Sequence, residues 1–60
     1  MAVKAFTLVG GTKAWARRAS ERELCWDADE GKGTGFDSPA VGQTWLDAVH
    51  NTFPVTFVEA

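Results

Sequence analysis

The chain has 60 residues, a net charge of −2 and three tryptophans and four phenylalanines among its side chains. This length predicts a single domain, residues 1–60. A chain so short buries only about 60% of the surface that its unfolded form exposes, so its aromatic side chains are needed for the core. We therefore expect no substrate pocket of roughly 300 Å³. Without such a pocket, we expect the protein to be non-enzymatic and to bind neither a cofactor nor a metal ion.

The sequence also indicates where in the cell the protein would be found. The single cysteine, Cys25, can form no intramolecular disulfide, which favours a reducing cytoplasm. The first residues are too weakly apolar for a signal peptide, and no stretch approaches the roughly 18 apolar residues of a membrane helix. Residues 1–23 carry a charge of +3 and residues 24–60 a charge of −5. Such asymmetry can mark a binding surface, but we favour ordinary solvated charge as its explanation.

The first two elements are predicted to form a β-hairpin. Side-chain character alternates along Val3–Val9, and the segment is rich in β-branched and aromatic residues. Both features are typical of a strand. A Gly-Gly pair at 10–11 suits a tight turn, and Thr12–Ala19 would be the returning strand. A two-residue turn places Phe6 opposite Trp15, a favourable cross-strand pair.

The same register brings two cations together, which favours a longer loop as an alternative. It sets Lys4 opposite Arg17, and like charges directly opposite each other repel. After this hairpin we expect a turn at residues 19–22 and a third strand at residues 23–27.

A helix is the competing prediction for the segment after the turn. Thr12 could cap a helix through residues 13–26, which are rich in Ala, Arg and Glu. In that helix Trp15, Ala19 and Trp26 would share a face. We favour two strands joined by a turn and keep the helix as the alternative.

Residues 27–35, DADEGKGTG, combine acids with three glycines and predict a loop. A calcium loop that starts at Asp27 would need an acid, a glycine and a glutamate where the chain has Gly31, Lys32 and Ser38. A phosphate loop would need its glycines and lysine to run directly into a helix, which they do not. We interpret this segment as a solvated connector.

A helix is predicted next, and it is the clearest element of the chain. Asp37 or Ser38 can cap it, and Pro39 suits its first position. Asn51 is a plausible terminator, and Pro54 prevents continuation. Its apolar stripe is formed by Val41, Trp45, Ala48 and Val49.

Residues 55–60, VTFVEA, then read as a final strand, with Phe57 on one face and Thr56 and Val58 on the other. The order is β-β-β-α-β. We therefore predict an α+β fold in which one helix packs on one face of a small antiparallel sheet.

Two sets of side chains merit a functional reading. Cys25 and His50 could act as nucleophile and base, but no third orienting group is recognisable, and we interpret them as a buried thiol and a helix-terminal cation. The second set combines cations with an aromatic ring and could bind a partner protein or single-stranded nucleic acid. Its members are Lys13, Trp15, Arg17, Arg18 and Arg22.

Four pieces of the sequence together form a pattern: Trp15, CWD at 25–27, GFDSP at 35–39 and VTFV at 55–58. In these pieces the chain resembles small phage and prophage accessory proteins of unknown role. The element order also looks like that of the small phage inhibitors of bacterial RNA polymerase, although no site residue carries across. The resemblance implies a non-enzymatic protein that acts by binding a host protein in the host cytoplasm.

The expected function is accordingly that of a small interaction module. It would bind another protein through a sheet face or edge, and the same edge could join two copies in a homodimer. Single-stranded nucleic-acid binding through residues 13–22 is the alternative, which the acidic net charge disfavours.

Overall fold

A computed structural model describes residues 2–60 of the chain. It contains four strands and one helix: β1 (Val3–Val9), β2 (Thr12–Ser20), β3 (Glu23–Asp27), α1 (Pro39–Ala48) and β4 (Thr56–Glu59). The sheet is antiparallel with the order β3-β2-β1-β4. The predicted α+β fold is confirmed, and the helical alternative for residues 12–26 is wrong.

The β1–β2 hairpin has the predicted two-residue turn and register. Gly10 and Gly11 adopt φ angles of +58° and +82°, the left-handed values that this turn requires of both central residues. Phe6 lies opposite Trp15. The turn into β3 is shorter than predicted, because β2 continues to Ser20 through an irregularity at residue 19.

The predicted opposition of Lys4 and Arg17 is wrong, because β1 and β2 diverge beyond the Phe6–Trp15 pair. The chain after β3 fills the gap. The Thr34 amide donates to the Ala16 carbonyl at 3.0 Å, and Phe36 exchanges two backbone hydrogen bonds with Val3 at 2.7 and 2.8 Å. The segment 34–36 thus acts as a short extra strand between β1 and β2.

The core lies between one sheet face and the helix. It contains Ala5, Ala16, Phe36, Trp45 and Leu46, all buried. Because side chains alternate along a strand, this face also receives Leu24, Trp26 and Phe57. Phe57 therefore faces the helix, and its predicted placement on the face opposite to Thr56 and Val58 is confirmed.

The buried stripe of α1 is rotated from the predicted one. Val41 and Ala48 are exposed, whereas Leu46 is completely buried and Gly42 is buried beside Trp45. Trp45 also ties the helix to the β2–β3 turn, since its indole Nε1 donates to the Glu21 carbonyl at 3.1 Å.

Both ends of α1 are closed by hydrogen bonds. The Ser38 hydroxyl accepts from the Val41 amide at 3.2 Å, and Pro39 occupies the first turn, as predicted. At the other end His50, not Asn51, leaves the helical conformation, with φ at +59°. The amides of His50 and Asn51 donate to the carbonyls of Asp47 and Leu46, the paired bonds of a Schellman motif.

Candidate binding surfaces

The sheet face away from the helix carries an aromatic pair under a lysine. The rings of Phe6 and Trp15 have centroids 5.1 Å apart, and the Lys13 ammonium lies 4.8 Å from the Phe6 centroid and 5.9 Å from that of Trp15. Gly33 packs against the Trp15 side chain from the loop side. Only 4% of Trp15 is exposed, so its indole offers no free face for stacking.

The five predicted partner-binding residues do not form one patch. Alternation along β2 puts Lys13, Trp15 and Arg17 on this open face. Arg18 lies on the opposite face, with its guanidinium 5.5 Å from the Trp45 ring centroid. Arg22 lies in the β2–β3 turn. The structure thus brings three of the five to one face, and binding through them stays a prediction.

Arg17 is the least well satisfied of these cations. Its Nε lies 3.9 Å from the Asp27 carboxylate, too far for a hydrogen bond, and this buried atom has no hydrogen-bond partner among the described residues. The rest of the side chain is partly exposed, so this ion pair contributes little stability.

The acidic connector is more structured than predicted. Its residues Glu30–Lys32 form a 3-10 turn, and the carboxylates of Asp27 and Asp29 each accept a backbone amide two residues on, at 2.9 Å. The Lys4 ammonium donates to the Glu30 carbonyl at 2.7 Å and fastens the turn to β1. The two aspartates therefore shape the turn, and no cluster of three potential metal-ligating side chains occurs in residues 2–60.

Cys25 and His50 do not form a catalytic pair. Cys25 alternates with Leu24 and Trp26 and so lies on the open face, opposite Arg17. His50 lies on the helix side, beside Arg18, Glu21 and Arg22. The sheet separates the thiol from the imidazole.

The tip of the β1–β2 hairpin, residues 8–13, exposes two large apolar side chains that sequence reasoning missed. Leu8 is 62% exposed on the open face, and Val9 is 61% exposed on the helix face. Neither contacts the core, because the helix lies over the other end of the hairpin.

The backbone of β1 is also unpaired at this tip. β4 pairs with β1 only from Val3 to Phe6. The even-numbered residues of β1 direct their N–H and C=O groups towards β4, as the bond from the Ala60 amide to the Ala2 carbonyl illustrates. Leu8 continues this row with no strand beside it.

Proline explains why β4 stops short. Continuing the register would set Leu8 opposite Pro54, which has no N–H to donate. The chains separate there and leave a notch of about 190 Å³, lined by residues 6–8 of β1 and residues 54–56. Pro54 was the signal in the sequence that could have located this free edge.

The prediction that no pocket of ligand size exists is wrong. A groove of about 470 Å³ lies beside α1. It is an open groove rather than an enclosed cavity, and neither Cys25 nor His50 lines it.

Comparison with protein-family models, curated proteins and solved structures found no match to this chain. No helix in the described part of the chain is long and apolar enough to cross a membrane. The fold and its exposed surfaces are thus the basis for a functional proposal.

Proposed function

We propose that this protein is a small, non-enzymatic protein-binding module that adds a strand of its partner to the outer edge of β1 at the hairpin tip. The observation that carries the proposal is Leu8. Its side chain is 62% exposed, and its backbone continues a hydrogen-bonding row that β4 leaves unoccupied.

Strand addition uses both features of this edge. The unpaired N–H and C=O groups of an edge strand bind a partner backbone, and pockets beside the edge select its side chains. The notch between Leu8 and Pro54 is smaller than the roughly 300 Å³ of a typical small-molecule site and suits a single side chain. The resemblance to small phage accessory proteins suggests a host protein as the partner. A second copy of this chain is the other candidate for the strand that pairs with this edge.

The test compares two exposed apolar positions. Leu8→Lys places a charge on the free edge, a device by which proteins prevent strand addition. Phe53→Lys is the matched control, since Phe53 is 55% exposed and lies outside both the notch and the groove beside α1. We expect proteins retained by the immobilised wild type to be lost with Leu8→Lys and kept with Phe53→Lys.

A backbone variant isolates the hydrogen bond from the side chain. Chemical synthesis can place N-methyl leucine at position 8 and so remove the outward donor while keeping the side chain. This variant should lose the same partner. Loss with Phe53→Lys alone, or retention by N-methyl Leu8, would contradict binding at the edge.

Sedimentation of the wild type across a concentration series tests self-association. A dimer that dissociates in Leu8→Lys would identify a second copy as the partner.

Single-stranded nucleic-acid binding is the second candidate function, supported by Lys13 and Arg17 on the same face as Phe6. Phosphate contacts weaken steeply with salt. Salt-dependent retention on a single-stranded DNA column that Lys13→Gln reduces would support it, whereas no retention at low salt excludes it.

A further inference from the structure

A second surface, distinct from the hairpin tip, lies beside the helix. We call it the helix groove, and define it by the residues Arg18, Phe36, Ala40, Val41, Thr44, Trp45 and Ala48. The rings of Phe36 and Trp45, whose centroids lie 5.8 Å apart, form its base, but these residues are only 4% and 8% exposed. The apolar surface of the groove is therefore provided mainly by Val41, which is 49% exposed, together with the exposed Ala40 and Ala48.

Arg18 lines one side of this apolar groove. The Arg18 guanidinium lies over the Trp45 ring, 5.5 Å from its centroid. Past Ala48 the groove continues into a polar end that Arg18 shares with Glu21, Arg22 and His50. Although Glu21 is close, neither arginine forms an ion pair within the described chain.

We infer that the helix groove docks a segment of a partner protein that carries a large apolar side chain beside a carboxylate. Val41, Ala40 and Ala48 would cover the apolar side chain, and Arg18, already held against the Trp45 ring, would pair with the carboxylate through its planar fork of donors. Stacking on Trp45 restricts the guanidinium before the partner arrives, which lowers the cost of ordering it.

Charge favours a peptide over a polyanion. The whole chain carries −2, and Glu21 lies at the polar end of the groove. A nucleic acid would bring a row of phosphates to an acidic molecule, whereas a single carboxylate meets only the local arginines.

The experiment is an NMR titration of the ¹⁵N-labelled full chain with three blocked tripeptides. One has phenylalanine between two glutamates, the second has phenylalanine between two lysines, and the third has glycine between two glutamates. We expect the first to shift the amides of Ala40, Thr44 and Ala48 and the indole N–H of Trp45, and to bind at least fivefold more tightly than the other two.

Neighbouring arginines on opposite sheet faces provide matched variants. Arg18→Gln should weaken the acidic phenylalanine peptide at least fivefold, whereas Arg17→Gln should not change it. Ala40→Glu should also weaken it, and the first turn of a helix tolerates an acid. Amide dispersion in each spectrum verifies that the variant is folded.

Three results would overturn this inference: equal binding of the acidic and basic phenylalanine peptides, shifts confined to the hairpin tip, or tighter binding of oligo(dT) at the same amides. Leu8→Lys should leave peptide binding unchanged. The helix groove and the edge of β1 can therefore fail independently.

Discussion

Gly42 shows how one missing side chain fixes the distance between helix and sheet. A Cβ atom at this position would lie 2.6 Å from Cε1 of Phe57 and 3.1 Å from Cδ2 of Phe36. Glycine in a helix interior costs about 1 kcal/mol relative to alanine. Glycine is nevertheless favoured here, because the rings of Phe36 and Phe57 occupy the space that a side chain at position 42 would fill.

Gly42→Ala is therefore expected to destabilise the protein, although alanine is the better helix former. Forcing a methyl group into a packed core costs roughly 1–3 kcal/mol, which exceeds the gain in helix propensity. The midpoint of urea denaturation should fall. Thr44→Ala, at an exposed position of the same helix, should leave it unchanged or raise it. A higher midpoint for Gly42→Ala would show that Phe57 moves away freely.

At the scale of elements, the least expected feature is the segment between the diverging strands. Beyond the Phe6–Trp15 pair, at the end away from the Gly-Gly turn, β1 and β2 separate. There Thr34 hydrogen-bonds to β2 through both its amide and its hydroxyl. The Thr34 hydroxyl oxygen accepts from the Arg18 amide at 2.7 Å. A side chain thus completes a row of backbone hydrogen bonds.

Thr34→Val removes this acceptor while keeping the shape of the side chain. A lost hydrogen bond with its donor left unpaired costs about 1–3 kcal/mol when buried, and we expect the lower end here because Arg18 is exposed. Hydrogen exchange gives the specific readout. The Arg18 amide should exchange faster relative to the rest of the sheet, whereas the Thr34 amide, still bonded to Ala16, should not. Equal acceleration of both amides would mean that the whole segment detaches.

The hairpin and the helix start were predictable because their signals are local. A Gly-Gly turn fixes the register of the strands around it, and Ser38 with Pro39 defines a helix start from adjacent residues alone. The insertion of Thr34 between β1 and β2 depends on residues far apart in sequence. No pattern within residues 27–35 indicates it.

The prediction of which residues of α1 are buried failed for a related reason. Periodicity ranked Val41 as a core residue because valine is apolar, yet Gly42 is the buried neighbour because Phe36 and Phe57 come from other elements. The surfaces were missed in the same way. The open edge at Leu8 follows from Pro54, and the helix groove from Phe36 meeting Trp45, both long-range relations.

At the scale of the whole molecule, a single helix covers one side of a four-stranded sheet. The other side is covered only by the loop at Gly33 and by side chains lying across the strands, chiefly Lys13 over the rings of Phe6 and Trp15. Trp15 is consequently buried at 4% exposure on a face without a second layer. Gly33, which follows the 3-10 turn, packs against the Cβ atom of Trp15.

Trp15→Ala is therefore expected to unfold the protein rather than to remove a binding contact. Truncating a buried tryptophan costs about 3–5 kcal/mol. A chain of this length has a total stability of roughly 3–9 kcal/mol, at about 0.05–0.15 kcal/mol per residue. Phe53→Ala is the aromatic control, since Phe53 is 55% exposed and contacts Trp26 edge-on. Far-UV circular dichroism and urea denaturation should show a large loss for Trp15→Ala and a small one for Phe53→Ala. A folded Trp15→Ala protein of near wild-type stability would contradict this structural role of the indole.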